Sequence, residues 1–248
     1  MRVMLEPVYV LHRRPWRDSS LILEVLSLSH GRCALIARGA RRPKSRLHGI
    51  LQPFGPLFAS WTMRGELGAL VSAEGRGGLC LQGRALISGF YLNELLIKLL
   101  ARHDPHPRLF AAYEQTLDEL AACTGEGSER REQRALRLFE KVLLDEIGYG
   151  LVLDREAESG EPIADEAEYD YHPERGPVTA WGRETAGRGL RLRGRSLIAL
   201  ERGELDDADV LREARGLMRL ALGVCLGNRP LHSRELLRSV VAVTADET

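Results

Sequence analysis

Near residue 80 the hydrophobic period of the chain changes, and this limits the fold more than any other property of the sequence. Before that point apolar and β-branched residues come in short runs: Val8–His12, Leu21–Leu26, Cys33–Ala37, Leu57–Trp61 and Glu66–Val71. Ser29, His30 and Gly31 join the second and third runs as a hairpin. Pro53 and Pro56 precede the fourth, as suits a sheet edge or bulge. Five short strands with no helix-length segment between them fit a small closed or partly open barrel. An SH3-like barrel satisfies the same pattern, so the runs alone do not name the fold.

From Ala85 the period is helical. Leu86, Phe90, Leu95 and Leu99 define a first helix closed by Pro105 and Pro107. Pro107 suits the first turn of a second, carrying Phe110, Tyr113, Leu117 and Leu120, with Gly125 past its end. Ser128 is expected to cap a third helix running to Ile147, with Gly148 at C′. Asp154–Gly194 then loses periodicity and is rich in Gly, Pro and acids, with 177–181 and 189–193 read as a small hairpin. Ser196 opens a short helix. One of Asp206, Asp207 and Asp209 caps a long one with Val210, Leu211, Leu217, Met218, Leu222 and Cys225 on one side, ended by Gly227. Ser233 is placed to cap a last short helix. The expected class is α+β: a barrel over residues 1–79, then a mainly helical domain over 80–248 with an irregular, partly β insertion at about 150–194.

The 248 residues are 44% hydrophobic, enough for a sizeable core. No apolar run approaches the ~18 residues of a membrane span. Met1–Pro7 has no extended apolar stretch, so no secretory signal is expected. Four scattered cysteines are no disulfide framework. A cytoplasmic protein without a membrane partner is the expectation. The formal net charge of zero hides an asymmetry, because residues 1–80 hold twelve bases against five acids. That third is therefore +7 and the remainder −7, which points to a polyanion partner for the first part. Only Lys44, Lys98 and Lys141 are lysines, a bias that a GC-rich gene also produces, so the asymmetry carries more weight than the arginine content.

Catalytic constellations are not found. There is no GxxxxGK[ST] phosphate loop, no GxSxG and no HExxH, and Gly75–Gly78 reads as a Gly-rich turn. Cys33, Cys80, Cys123 and Cys225 lack the paired spacing of a zinc site and read as small core residues. His103 and His106 flank a proline in an interhelical loop, and the acids of 165–170 lack the Gly-centred calcium-loop pattern. Neither a metal nor a cofactor is expected.

The densest positive feature is Arg38-Gly-Ala-Arg41-Arg42-Pro-Lys44-Ser-Arg46, a Gly- and Pro-containing loop after a strand. A second cluster, Arg13-Arg14-Pro-Trp16-Arg17, interleaves an aromatic with bases. Guanidinium groups neutralise phosphates with counterion release, and an exposed indole stacks on an unpaired base at ~1–3 kcal/mol. Two such clusters on one basic barrel point to single-stranded nucleic acid. Either cluster alone also reads as a solvated loop with a packed Trp.

With these residues in place, the chain resembles the bacterial RecO DNA-repair proteins. The resemblance rests on Tyr9–Leu21, His30-Gly-Arg with Ala37–Arg46, Leu51–Phe54, Tyr91–Leu96, Gly148-Tyr-Gly150 and Arg229–Leu236, in the same order over nearly the whole chain. It implies an N-terminal OB barrel, a helical domain, and a recombination mediator without catalysis. Such a protein binds single-stranded and double-stranded DNA, anneals complementary strands coated with single-strand binding protein (SSB) without ATP, and with RecR promotes loading of RecA, so it works at the nucleoid. The sequence departs from many members at one place. Where they carry two CxxC pairs forming a zinc site, this chain reads Asp154–Pro162 without cysteine, so it is similar to a zinc-free branch whose hairpin is held by packing.

The resemblance also implies a site in the helical domain for the short acidic, apolar-ended C-terminal tail of SSB. Arg130, Arg134, Arg137 and Lys141 fall within roughly 60° of one helix's circumference, opposite Ala135, Phe139, Val142 and Leu143 and flanked by Leu138 and Leu144. Arg137 is the expected carboxylate partner, with Arg134, Lys141 and Leu138 in support. Arg212, Arg215 and Arg219 form a competing ridge. Two other readings stand beside the mediator: a generic OB-fold binder of single-stranded nucleic acid, and a nuclease assembled from dispersed carboxylates such as Glu24, Glu66 and Glu74.

Overall fold

The structure, a computed structural model, describes residues 1–180 and 189–233. The first third is a closed five-stranded barrel: β1 (Arg2–Trp16), β2 (Ser20–Ser27), β3 (Gly31–Ala37), β4 (Pro56–Arg64) and β5 (Leu67–Gly75). The order around it is β1-β2-β3-β5-β4, with β3 and β5 parallel and all other pairs antiparallel. This is the OB arrangement, and it separates the fold from the SH3-like alternative. A short helix, α1 (Leu47–Ile50), lies between β3 and β4.

β1 is longer than the run Val8–His12 suggested. Its first half pairs with β4 and its second with β2, and Tyr9 faces both Pro56 and Leu26. Irregularities between Val3 and Glu6 and between Val10 and His12 let one 15-residue strand bend around the closing barrel. The second leaves Leu11 outside the ladder, and its carbonyl accepts instead from Asn93 Nδ2 at 2.8 Å. Pro56 opens β4 at its first residue, where a missing N–H is tolerated, and closure leaves the barrel no edge for it. Val8, Val10, Leu21, Leu23, Val25, Cys33, Leu35 and Leu57 pack inside around Trp61, which is fully buried.

Two helices continue this unit, α2 (Gly83–Leu99) and α3 (Pro107–Ala122). Tyr9 of the barrel packs against Phe110 (tilted) and Tyr113 (edge to face) of α3 at ring-centroid distances of 5.4 and 5.1 Å. Tyr113 donates its hydroxyl to Asn93 Oδ1, so Asn93 joins barrel, α2 and α3 through one buried amide. The chain then returns at its far end, where His232 N, Ser233 N and Ser233 Oγ donate to the Glu94 carboxylate. Residues Met1–Ala122 with Leu231–Ser233 therefore form one compact unit, and Cys123–Pro230 a second. The expected boundary at 79/80 marks the change from strand to helix, whereas packing groups α2 and α3 with the barrel.

The second unit holds α4 (Ser128–Glu146), a sheet of β6 (Glu168–His172), β7 (Gly176–Thr179) and β8 (Leu190–Arg193), then α5 (Gly194–Arg202) and α6 (Ala208–Leu226). Ser128 is the first helical residue of α4 rather than its cap; Gly127, at φ +72°, holds that position without a side-chain bond. Asp207 caps α6, donating nothing and accepting from Asp209 N and Val210 N. The expected two-stranded hairpin is a three-stranded sheet in the order β7-β6-β8, so the two foreseen segments pair with β6 and not with each other. Trp181 and the helix expected after Ser233 lie outside the described residues.

In the segment 154–162 a carboxylate organises the chain. Glu156, 5% exposed, accepts from the N–H groups of Glu158, Ser159 and Thr179 and from the Ser159 hydroxyl. These bonds, the Ser159 hydroxyl first, hold its carboxyl below the usual range. Among the described residues no helix is long and apolar enough to cross a membrane.

Candidate nucleic-acid interface

The two basic clusters meet at one end of the barrel. Arg13, Arg14, Trp16 and Arg17 lie at the tip of the β1–β2 hairpin, where Trp16 pairs with Ser20 across a three-residue turn. Arg17 takes φ +50° in that turn, a conformation that normally selects Gly or Asn. An L side chain kept there at a cost of about 1 kcal/mol is a common mark of a functional position. Arg14, Trp16 and Arg17 are exposed and Arg13 is half-buried. The Arg14 and Arg17 guanidinium carbons stand 5.9 and 6.0 Å from the Trp16 ring centroid, within cation–π range.

The loop after β3 is laced to this tip. Arg41 N donates to Ser19 O at 2.9 Å, and Arg41 Nη1 donates to Arg17 O at 3.1 Å. Gly39, at φ +70°, turns the chain so that Arg42 N reaches Gly39 O, and the Arg42 side chain lies over Gly39. Arg41 therefore braces the two clusters, a role its place among the loop's bases does not reveal.

Hairpin tip, loop and the strand ends opposite enclose a groove of about 600 Å³. Trp16, Arg17, Arg38 and Arg42 line it from one side; Thr62, Arg64, Leu67 and Ala69 line it from β4 and β5. Among the described residues, four arginines and no carboxylate face this space. Lys44 and Arg46 are exposed farther along the loop, and Arg13 and Arg14 lie on the hairpin; these four are not part of the lining. Arg64 belongs to neither basic cluster of the sequence. It enters because β5 pairs in parallel with β3, setting Ala69 beside Ile36, and antiparallel with β4, setting Leu67 beside Arg64.

The dispersed carboxylates do not gather. Glu24 is held by Arg32 at 2.9 Å and by Arg102, Glu66 lies in the β4–β5 turn, and Glu74 sits opposite Phe58 toward the other end of β5.

In the second unit the α4 ridge has a different setting from the open one expected. Arg134 Nη2 donates to Gly203 O at 3.2 Å, and Lys141 Nζ donates to Glu201 O and Glu201 Oε2 at 2.8 and 2.7 Å. Both cations thus satisfy carbonyls at the C-terminal end of α5, where the helix dipole favours positive charge. Arg137 is 7% exposed and ion-paired with Glu140, which is 1% exposed; its Nε–H has no partner among the described residues. Leu138 is half-buried and Leu144 fully buried, so Leu144 does not flank an exposed ridge. The cause is that α4 buries a second stripe, Leu136, Arg137, Glu140 and Leu144, beside the foreseen one through Ala135, Phe139 and Leu143. Arg130 and the competing Arg212 and Arg215 line a separate groove of about 660 Å³ that also contains Glu126 and Glu129.

Comparison with known proteins agrees with this architecture. The family profile described as Recombination protein O N terminal matches residues 1–78, and that described as Recombination protein O C terminal matches 80–235. The DNA repair protein RecO of Alkalilimnicola ehrlichii is 49% identical over 240 residues, covering 96% of this chain and 92% of its own. The RecO of Methylococcus capsulatus is 48% identical over 239 residues (96% and 94%), and that of Coxiella burnetii 45% over 237 (95% and 98%). With both halves matched in order and relatives this similar along their full length, the chain belongs to the RecO family of DNA repair proteins, and its role lies in recombinational repair.

Proposed function

We propose that the protein is a non-catalytic recombination mediator that binds single-stranded and duplex DNA on the barrel, anneals SSB-coated complementary strands without ATP, and acts with RecR to promote RecA loading at the nucleoid. The observation that carries this reading is the groove that, among the described residues, holds four arginines and no carboxylate and is braced by Arg41. Such a surface neutralises phosphates and releases counterions. Arg38, Arg42 and Arg64 are its phosphate contacts, with Lys44, Arg46, Arg13 and Arg14 extending the path. The test is annealing of complementary oligonucleotides pre-coated with SSB, followed by fluorescence without ATP. Acceleration by the protein, lost in Arg38→Glu/Arg42→Glu, supports mediator action; DNA binding without acceleration reduces the protein to a generic OB-fold binder.

We propose α4, through Arg137, as the seat of the SSB tail. The Arg137 side chain is 8% exposed and its Nε–H has no hydrogen-bond partner among the described residues, so it would donate to a carboxylate once the side chains covering it give way. The groove of Arg130, Arg212 and Arg215 is the second candidate, favoured by its open arginines. Binding of a labelled tail peptide separates them: loss in Arg137→Ala with retention in Arg215→Glu supports the first, and the reverse moves the tail to the groove.

A further inference from the structure

The groove has a property that phosphate neutralisation does not require: an apolar wall. Trp16 is 37% exposed at the groove's rim, and Ile36, Leu67 and Ala69 contribute apolar surface to the same space. Phosphates gain nothing from such a wall, and the bases of a duplex are already stacked on both faces and present only their edges. A base without a stacking neighbour gains contact with an indole whatever its identity. The hydroxyl residues Ser19, Ser20 and Thr62 also line the space, so polar base edges meet hydrogen-bonding partners there.

The wall is held in place before any ligand arrives. The Arg14 and Arg17 guanidiniums bias the indole from 5.9 and 6.0 Å, the turn that follows keeps Arg17 at positive φ, and the Arg41 bond to Arg17 O closes that turn against the loop. A pre-set ring loses little freedom on stacking. The size is also suitable: about 600 Å³ lies within the range of small-ligand sites.

We propose that this groove is a pocket for one unstacked nucleobase, with Trp16 as its stacking wall and Arg38, Arg42 and Arg64 on the flanking phosphates, so that Trp16 sets the preference of the barrel for single strands over duplex. The proposal rests on the DNA-binding reading above and adds a selectivity that reading does not contain. The stacking term corresponds to about a 5- to 150-fold change in affinity.

The test measures binding of the full chain to a labelled oligothymidine and to a duplex at one salt concentration, for the wild type, Trp16→Ala and Trp16→Phe. In Trp16→Ala the ratio of single-strand to duplex affinity is expected to fall by at least about fivefold, and Trp16→Phe to recover most of it. Tryptophan emission that is quenched by the single strand in the wild type and unchanged in Trp16→Phe is the accompanying signature. Thymidine monophosphate is expected not to displace the oligothymidine at matching concentration; displacement would mean a free-nucleotide pocket and overturn the assignment to a strand. An unchanged affinity ratio in Trp16→Ala, in a variant whose thermal unfolding matches the wild type, sinks the pocket while leaving DNA binding standing. Failure of the wild type to bind either substrate sinks both.

Discussion

Replacing Gly31 with alanine tests how the barrel is joined to the helices that follow it. Gly31 opens β3 at φ +63°, and a Cβ built there would lie 2.1 Å from Asp104 O and 2.4 Å from Asp104 C. These are backbone atoms and cannot swing aside as a side-chain tip can. The segment they belong to is fixed to the barrel by His103 N donating to Arg32 O at 3.1 Å and by the Arg102–Glu24 ion pair. Left-handed backbone costs an alanine about 1–2 kcal/mol. Displacing residues 102–104 forfeits a hydrogen bond worth about 0.5–1.5 kcal/mol and a partly exposed ion pair worth about 0–1 kcal/mol. The lower entropy of the unfolded alanine chain returns about 0.4–1 kcal/mol. The expected loss is about 2–3 kcal/mol, read by urea denaturation as a lower midpoint with an unchanged slope. Gly31→Asn separates the two causes, since Asn tolerates positive φ but carries the same Cβ. A loss equal to that of alanine assigns the effect to the Asp104 contact. An alanine variant within about 0.5 kcal/mol of wild type would refute the reasoning, because the segment after α2 would then yield without resistance.

Three further outcomes follow from the geometry. Burial pushes the Glu94 carboxyl up, but the bonds from Ser233, Lys98 and His232 outweigh it and hold the pKa at about 2, below the ordinary 4.5. Its contribution is therefore complete above pH 4.5 and lost as pH falls toward 2, and in Glu94→Gln the acid-side decline of stability should shrink in a pH series of thermal unfolding. The Cys33 thiol is buried and pushed up to about 11, whereas Cys80 is exposed, so a thiol reagent at neutral pH should modify Cys80 at once and Cys33 only after unfolding. Lys141→Ala removes a cation from the end of α5 and should cost about 0.5–1 kcal/mol in denaturant; an unchanged midpoint would mean the Glu201 contacts add nothing to stability.

What the sequence reveals divides along the distance over which each signal acts. The five barrel strands are legible because alternation and turn residues are local, and so are α2 to α6 with their Gly and Asp boundaries. β1 is underestimated because Pro7, Pro15 and the irregular stretch at Met4 and Leu5 break its alternation, and only pairing with two neighbours makes it one strand. β6 hides in Glu168-Tyr-Asp-Tyr-His172, which reads as an acidic loop until Asp170 meets Arg191, 21 residues away. The basic loop is legible as composition, but neither the bracing role of Arg41 nor the presence of Arg64 can be read there, since both depend on barrel closure. The α4 ridge shows the opposite error: its spacing is real, but its partners are carbonyls of α5 that no periodicity announces.

The return of residues 231–233 to the first unit gives that unit a history during synthesis. On a ribosome the barrel, α2 and α3 emerge first, while the backbone donors for Glu94 are encoded 138 and 139 residues later. At about 5–20 residues per second, the nascent unit waits for roughly 7–28 s with that carboxylate held by Lys98 but without its two backbone donors. The second unit is made within this interval as an insert between two parts of the first. A defect in the insert that misdirects the chain at Pro230 would thus be felt in the barrel unit, which receives its clasp last.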